Sequence, residues 1–133
     1  MPDIDLNPDG PHSPERTAEV AAVFDACSRF LVYATMGRAP GLEYPSEAYR
    51  LLGELYSATG RLPQLCGQLG EFLAAQLATG RLGDDSGRDP ALACDRASLH
   101  LRQAGAHAAG LTRALQDVQN AISGLHVRGG GDA

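Results

Sequence analysis

Lysine and tryptophan are absent from this 133-residue chain, and its eleven basic residues are all arginine. Aromatic residues make up only 5%. The interior must therefore be aliphatic and close-packed. Sixteen acidic residues leave a net charge of −5. The arginines are scattered, and no three adjoin. Nucleic-acid binding draws on a basic face, so that balance disfavours a nucleic-acid partner relative to a protein one. No segment approaches the ~18 uninterrupted apolar residues of a membrane span. The opening residues MPDIDLNPDGPH are acidic and carry no apolar run, unlike a signal or transit peptide. A cytoplasmic location without a membrane partner is expected.

Catalytic and metal-binding patterns are also missing. Cys27, Cys66 and Cys94 lie far apart, with no Cys-x-x-Cys or Cys/His spacing for zinc. Reduced, buried thiols are expected, the alternative being one disulfide with a leftover thiol; Cys27 and Cys66 fall on apolar helix faces, where a thiol stays protonated and inert. His100 and His107 are seven residues apart. Along a helix that is about 10 Å, too far to share one ion. His12 and His126 fall near the ends. The stretch GRLGDDSGRDP pairs Asp84 and Asp85 with two arginines. It lacks the glycine spacing and lysine of a phosphate-binding loop, and reads as a polar connection. No catalytic residue, cofactor or metal is assigned.

What is present is helical periodicity. Hydrophobic residues make up 44% of the chain, mostly alanine, leucine and glycine. Residues 1–12 read as a disordered tail, 13–127 as one helical domain and 128–133 as a second tail. Ser13 suits an N-cap and Pro14 the first helical position. Thr17, Val20, Phe24, Cys27, Leu31 and Ala34 then recur at spacings of three and four, up to about Gly37. Pro45 opens a second helix whose apolar face holds Ala48, Leu51, Leu52, Leu55 and Tyr56, and Gly60 reads as its stop. Pro63 opens a third, with Leu65, Leu69, Phe72 and Leu73 on its stripe and Gly80 at its end. Asp89 and Pro90 begin the last helix, which the pattern carries to about His126. Its heptad positions, from Pro90 through Cys94, Leu101, Ala108, Leu115 and Ile122 to Leu125, are all apolar. That helix is ~50 Å long.

No strand pattern appears. The expected fold is all-α: an antiparallel four-helix bundle in which the long first and last helices pack together, roofed by a short central hairpin. About ten large aliphatic side chains at ~1.5–3 kcal/mol each offset the ordering cost of such a chain only narrowly. A homodimer through leftover apolar surface fits that balance.

AYRLLGELYSATGRLPQ, from Ala48, resembles the tetratricopeptide pattern. Tyr49 and Tyr56 stand at its aromatic positions, Leu52 and Gly53 form its leucine–glycine pair, and Gly60 sits at the turn. Leu65 and Phe72 occupy places where that family has alanine, and no second copy follows at a period of about 34 residues. One repeat cannot bury its own face, so an ordinary αα-hairpin with Gly53 at a close helix contact is expected. The ending ALQDVQNAISGLH, with the alanine–arginine bias, resembles small helical proteins of actinobacteria, many carried on mobile elements. That resemblance implies no catalytic residues. The expected function is an interaction protein, adaptor or regulator, with a protein partner and a candidate surface of Tyr49, Tyr56, Leu111, Leu115, Gln119 and Ile122. The alternatives are a DNA-associated regulator using Arg96, Arg102 and Arg113, and a bundle that binds a small ligand between helices.

Overall fold

A computed structural model describes residues 4–37 and 40–129. Residues 1–3 and 130–133 of the expected tails lie outside the described residues. The described chain is all-α, without strands: α1 Pro14–Ala34, α2 Pro45–Gly60, α3 Leu62–Ala78 and α4 Pro90–Ile122. Each helix has a proline in its first turn; for Pro14, Pro45 and Pro90 the missing N–H costs no intrahelical bond. Two compact units, Met1–Glu43 and Tyr44–Ala133, divide the chain, and each is described by itself.

In the first unit, the Ser13 hydroxyl accepts the Arg16 N–H at 3.1 Å and caps α1. Arg16 also donates through Nη2 to the Asp5 carbonyl at 2.7 Å. The helix ends at Ala34, three residues before Gly37, where Thr35 caps it by donating to the Leu31 carbonyl. Val20, Val23, Cys27, Leu31 and Ala34 are half-buried, whereas Phe24 and Phe30 are exposed.

In the second unit, the expected central hairpin is not formed. Gly60 is the last residue of α2 but has no left-handed φ, so it does not turn the chain out of the helical path. Arg61 keeps right-handed helical angles, φ −89° and ψ −14°, and joins α2 to α3. The Leu65 N–H still donates to the Arg61 carbonyl at 3.1 Å, so helical bonding resumes at once. Pro63 explains the bend. It has no N–H for the Thr59 carbonyl, and its ring crowds that carbonyl. The two segments therefore form one bent helix.

α4 runs antiparallel along the full bent helix, packing on both α2 and α3. Asp89 caps it by accepting the Ala91 N–H at 3.0 Å. Gly80 does end α3, in a left-handed conformation with φ +74°. At the start of α2, the Glu47 carboxylate accepts the Tyr44 N–H at 3.2 Å while the Glu47 N–H donates to the Tyr44 carbonyl at 3.1 Å. Among the described residues of this unit, only Gly105 and Ala108 are buried. Two helices in contact have no third surface to close a core against.

Candidate functional site

The contact line between the bent helix and α4 uses small residues and side-chain amides. Gln119 Nε2 donates to the Tyr49 carbonyl at 3.2 Å. A Cβ on Gly53 would stand 2.9 Å from the same Nε2. The Thr59 and Thr112 hydroxyls meet at 2.8 Å. A Cβ on Gly105 would stand 3.5 Å from the Pro63 Cα. Glycine thus permits close approach, as the hairpin reading expected at Gly53, but the neighbour is α4 rather than α3.

Three rows run along the bent helix and across the bend, the first at spacings of seven and the other two at alternating spacings of three and four. One faces α4 through Leu52, Thr59, Cys66 and Leu73. The second is Tyr49, Gly53, Tyr56, Gly60, Pro63, Gly67, Gly70 and Ala74. Its later members, with Cys66 and Glu71, line an open groove of about 600 Å³. Ser98, Leu101, Arg102, Gly105 and Ala106 close the α4 side of that groove.

The third row is Leu51, Leu55, Ala58, Leu62, Leu65, Leu69 and Phe72. At about 100° per residue it falls on the flank away from the groove. On α4, the positions on that same flank are Ala97, Ala104, Leu111, Leu115, Val118 and Ile122. By helical phase the two sets lie on the same side of the helix pair, an apolar face two helices wide. No member of either set is charged. Leu65, Leu69 and Phe72 are 50%, 47% and 58% exposed, and Leu111 and Val118 are 49% and 47% exposed.

No protein-family model, curated protein or solved structure matches the chain.

The candidate residues read from sequence therefore separate. Leu111, Leu115 and Ile122 belong to the apolar face. Tyr49 and Tyr56 lie on the groove flank, about two-fifths exposed. Gln119 stands between, tied to the α2 backbone. Missing from that selection were Leu65, Leu69 and Phe72. Their stripe was visible, but the expected hairpin cut it off from Leu51 and Leu55.

Chemistry-bearing groups do not converge. Among the described residues, no three of His, Cys, Asp and Glu come close enough to hold a metal ion. His100 is paired with the Gln103 side chain at 3.1 Å. The three cysteines are free and half-buried. In the α3–α4 connection, the Asp84 carboxyl sits below its ordinary pKa because the Ser86 hydroxyl donates to it, with the Ser86 N–H adding to the effect. Those two bonds measure 2.6 and 2.8 Å. This is a self-contained turn, ended by Gly87 at φ +78°. No described helix is long and apolar enough to cross a membrane.

Proposed function

We propose that this chain is a non-enzymatic interaction protein, an adaptor or regulator working in the cytoplasm by presenting a helical surface to another protein. The observation that supports this is the uncharged face of the second unit, where Leu65, Leu69, Phe72, Leu111 and Val118 are about half exposed. Contiguous apolar surface of that extent marks an interaction site in a soluble protein. Loose likeness to actinobacterial mobile-element proteins is compatible with an accessory role of this kind.

The test combines light scattering on the purified chain with cross-linked capture from a lysate of its host. Self-association or a reproducible partner that competes with an apolar dye for the face is expected. A strict monomer that captures nothing overturns the proposal.

The groove favours a second reading, a small apolar ligand between α3 and α4. Its volume lies within the usual range for ligand sites, about 300–1,000 Å³. Native mass spectrometry that finds a copurifying small molecule would put this reading first. The DNA-associated alternative has less support. Arg102 and Arg113, eleven residues apart, share one side of α4, but Arg96 lies about 100–120° away from them and Arg102 lines the groove, so the three make no single basic face.

A further inference from the structure

The interaction reading leaves open what covers the apolar face, and this inference rests on that reading. We infer that the occupant is a second copy of this chain. Two copies pack face to face, each contributing its bent α2–α3 helix and α4, and together build the four-helix bundle that the second unit cannot form alone.

Area is the first argument. On α4 the face runs from Ala97 to Ile122, so it is about 38 Å long at 1.5 Å per residue. Two adjacent helices make it about 20 Å wide. The resulting ~750 Å² per copy lies within the ~600–1,000 Å² per partner of a standard stable interface.

Relief is the second argument, and it selects a copy over an unrelated partner. At the α3 end of the face, the large side chains are Leu65, Leu69 and Phe72. Beside them α4 contributes Ala97 and Ala104. At the other end the exposed large side chains are on α4, Leu111 and Val118, while α2 supplies Ala58 and the half-buried Leu51 and Leu55. Antiparallel pairing fixes this register, since a Cβ on Gly70 would touch Leu101 at 3.7 Å and Gly53 abuts Gln119. High and low corners therefore alternate diagonally. A two-fold rotation lying in the plane of the face sets each high corner of one copy over a low corner of the other. Such self-complementarity is what an isologous dimer requires. The residues of the two rows are themselves uncharged, with exposed Glu54 and His100 at the rim of the flank.

Sedimentation equilibrium on the full chain over an about 100-fold concentration range tests this. The expected species is a dimer whose thermal midpoint rises with concentration, because folding and association are coupled. Leu69→Glu places two charges in the two-fold interface and should weaken dimerisation more than about 100-fold. Gly67→Ala lies on the groove flank with open space around it and should leave the dimer intact. If Leu69→Glu does not fold, the concentration dependence of the unsubstituted chain's midpoint still decides. An undiminished Leu69→Glu dimer overturns the inference, because another surface then holds the copies. A monomer that binds an apolar dye overturns it and leaves the interaction reading standing. A monomer that binds no dye removes both.

Discussion

Gly53 of α2 and Gln119 of α4 approach so closely that a methyl group on the glycine would lie 2.9 Å from the amide nitrogen. That nitrogen also donates to the Tyr49 carbonyl, one helical turn earlier. A residue without a side chain and an amide that reaches the opposing backbone together hold the two helices at this level. The obstacle to a Cβ here is the end of a mobile side chain rather than backbone.

Two effects therefore oppose each other in Gly53→Ala. The substitution gains about 1 kcal/mol of helix propensity. It also displaces Gln119 from a hydrogen bond worth about 0.5–1.5 kcal/mol. The net change in unfolding free energy should be under about 1 kcal/mol. In a Gln119→Ala background the clash is gone, and Gly53→Ala should stabilise by about 1 kcal/mol. Chemical denaturation of the four proteins in that cycle measures the coupling. Equal effects in both backgrounds would show that the contact carries no energy.

The Thr59–Thr112 pair makes a different prediction. Thr59 Oγ1 lies 2.8 Å from the Leu55 carbonyl, Thr112 Oγ1 lies 2.9 Å from the Ala108 carbonyl, and the hydroxyls meet at 2.8 Å. Two hydroxyl protons serve three short contacts. Thr112→Val keeps the shape and leaves the Thr59 oxygen facing a methyl group, at a cost of about 1 kcal/mol. Replacing both threonines by valine removes the mismatch and should return most of that loss. Thermal unfolding of the single and double variants distinguishes this from simple additivity.

Gly105 is one of two buried residues of α4, and the nearest obstacle to a Cβ is backbone, the Pro63 Cα at 3.5 Å. That distance is ordinary van der Waals contact. Gly105→Ala should fit and stabilise by up to about 1 kcal/mol through helix propensity. Gly105→Leu must push α3 and α4 apart at the bend and should destabilise by about 1–3 kcal/mol. Urea midpoints of the two variants should therefore move in opposite directions.

Asp84 carries a pH prediction. Its folded pKa is depressed first by the Ser86 hydroxyl and then by the Ser86 N–H. A depressed carboxyl stabilises the fold above its unfolded pKa, and that contribution disappears as pH falls through the folded value. Ser86→Ala removes the larger cause and keeps the backbone bond. The Asp84 titration followed by NMR should move up toward the ordinary carboxylate range, without reaching it. An unchanged titration would show that the hydroxyl does not hold the carboxylate in solution.

Local chemistry by itself determined much of this protein. Ser13 and Asp89 cap, prolines 14, 45, 63 and 90 open helical segments, and Gly80 closes one, because each acts on backbone groups within a few residues. The all-α class follows from the same spacing. The α2–α3 junction was decided by tertiary structure. Gly60 can end a helix or continue it, at similar local cost. Here the continuing form lets Thr59 reach Thr112 and Pro63 pack on Gly105, contacts with a helix some fifty residues away that no local signal contains. The same pairing gave Gln119 its partner 70 residues earlier and joined Leu51 to Phe72 in one row. The heptads of α4 were legible in sequence. Which half of them would remain uncovered was not, because that depends on which flank of α4 the bent helix occupies.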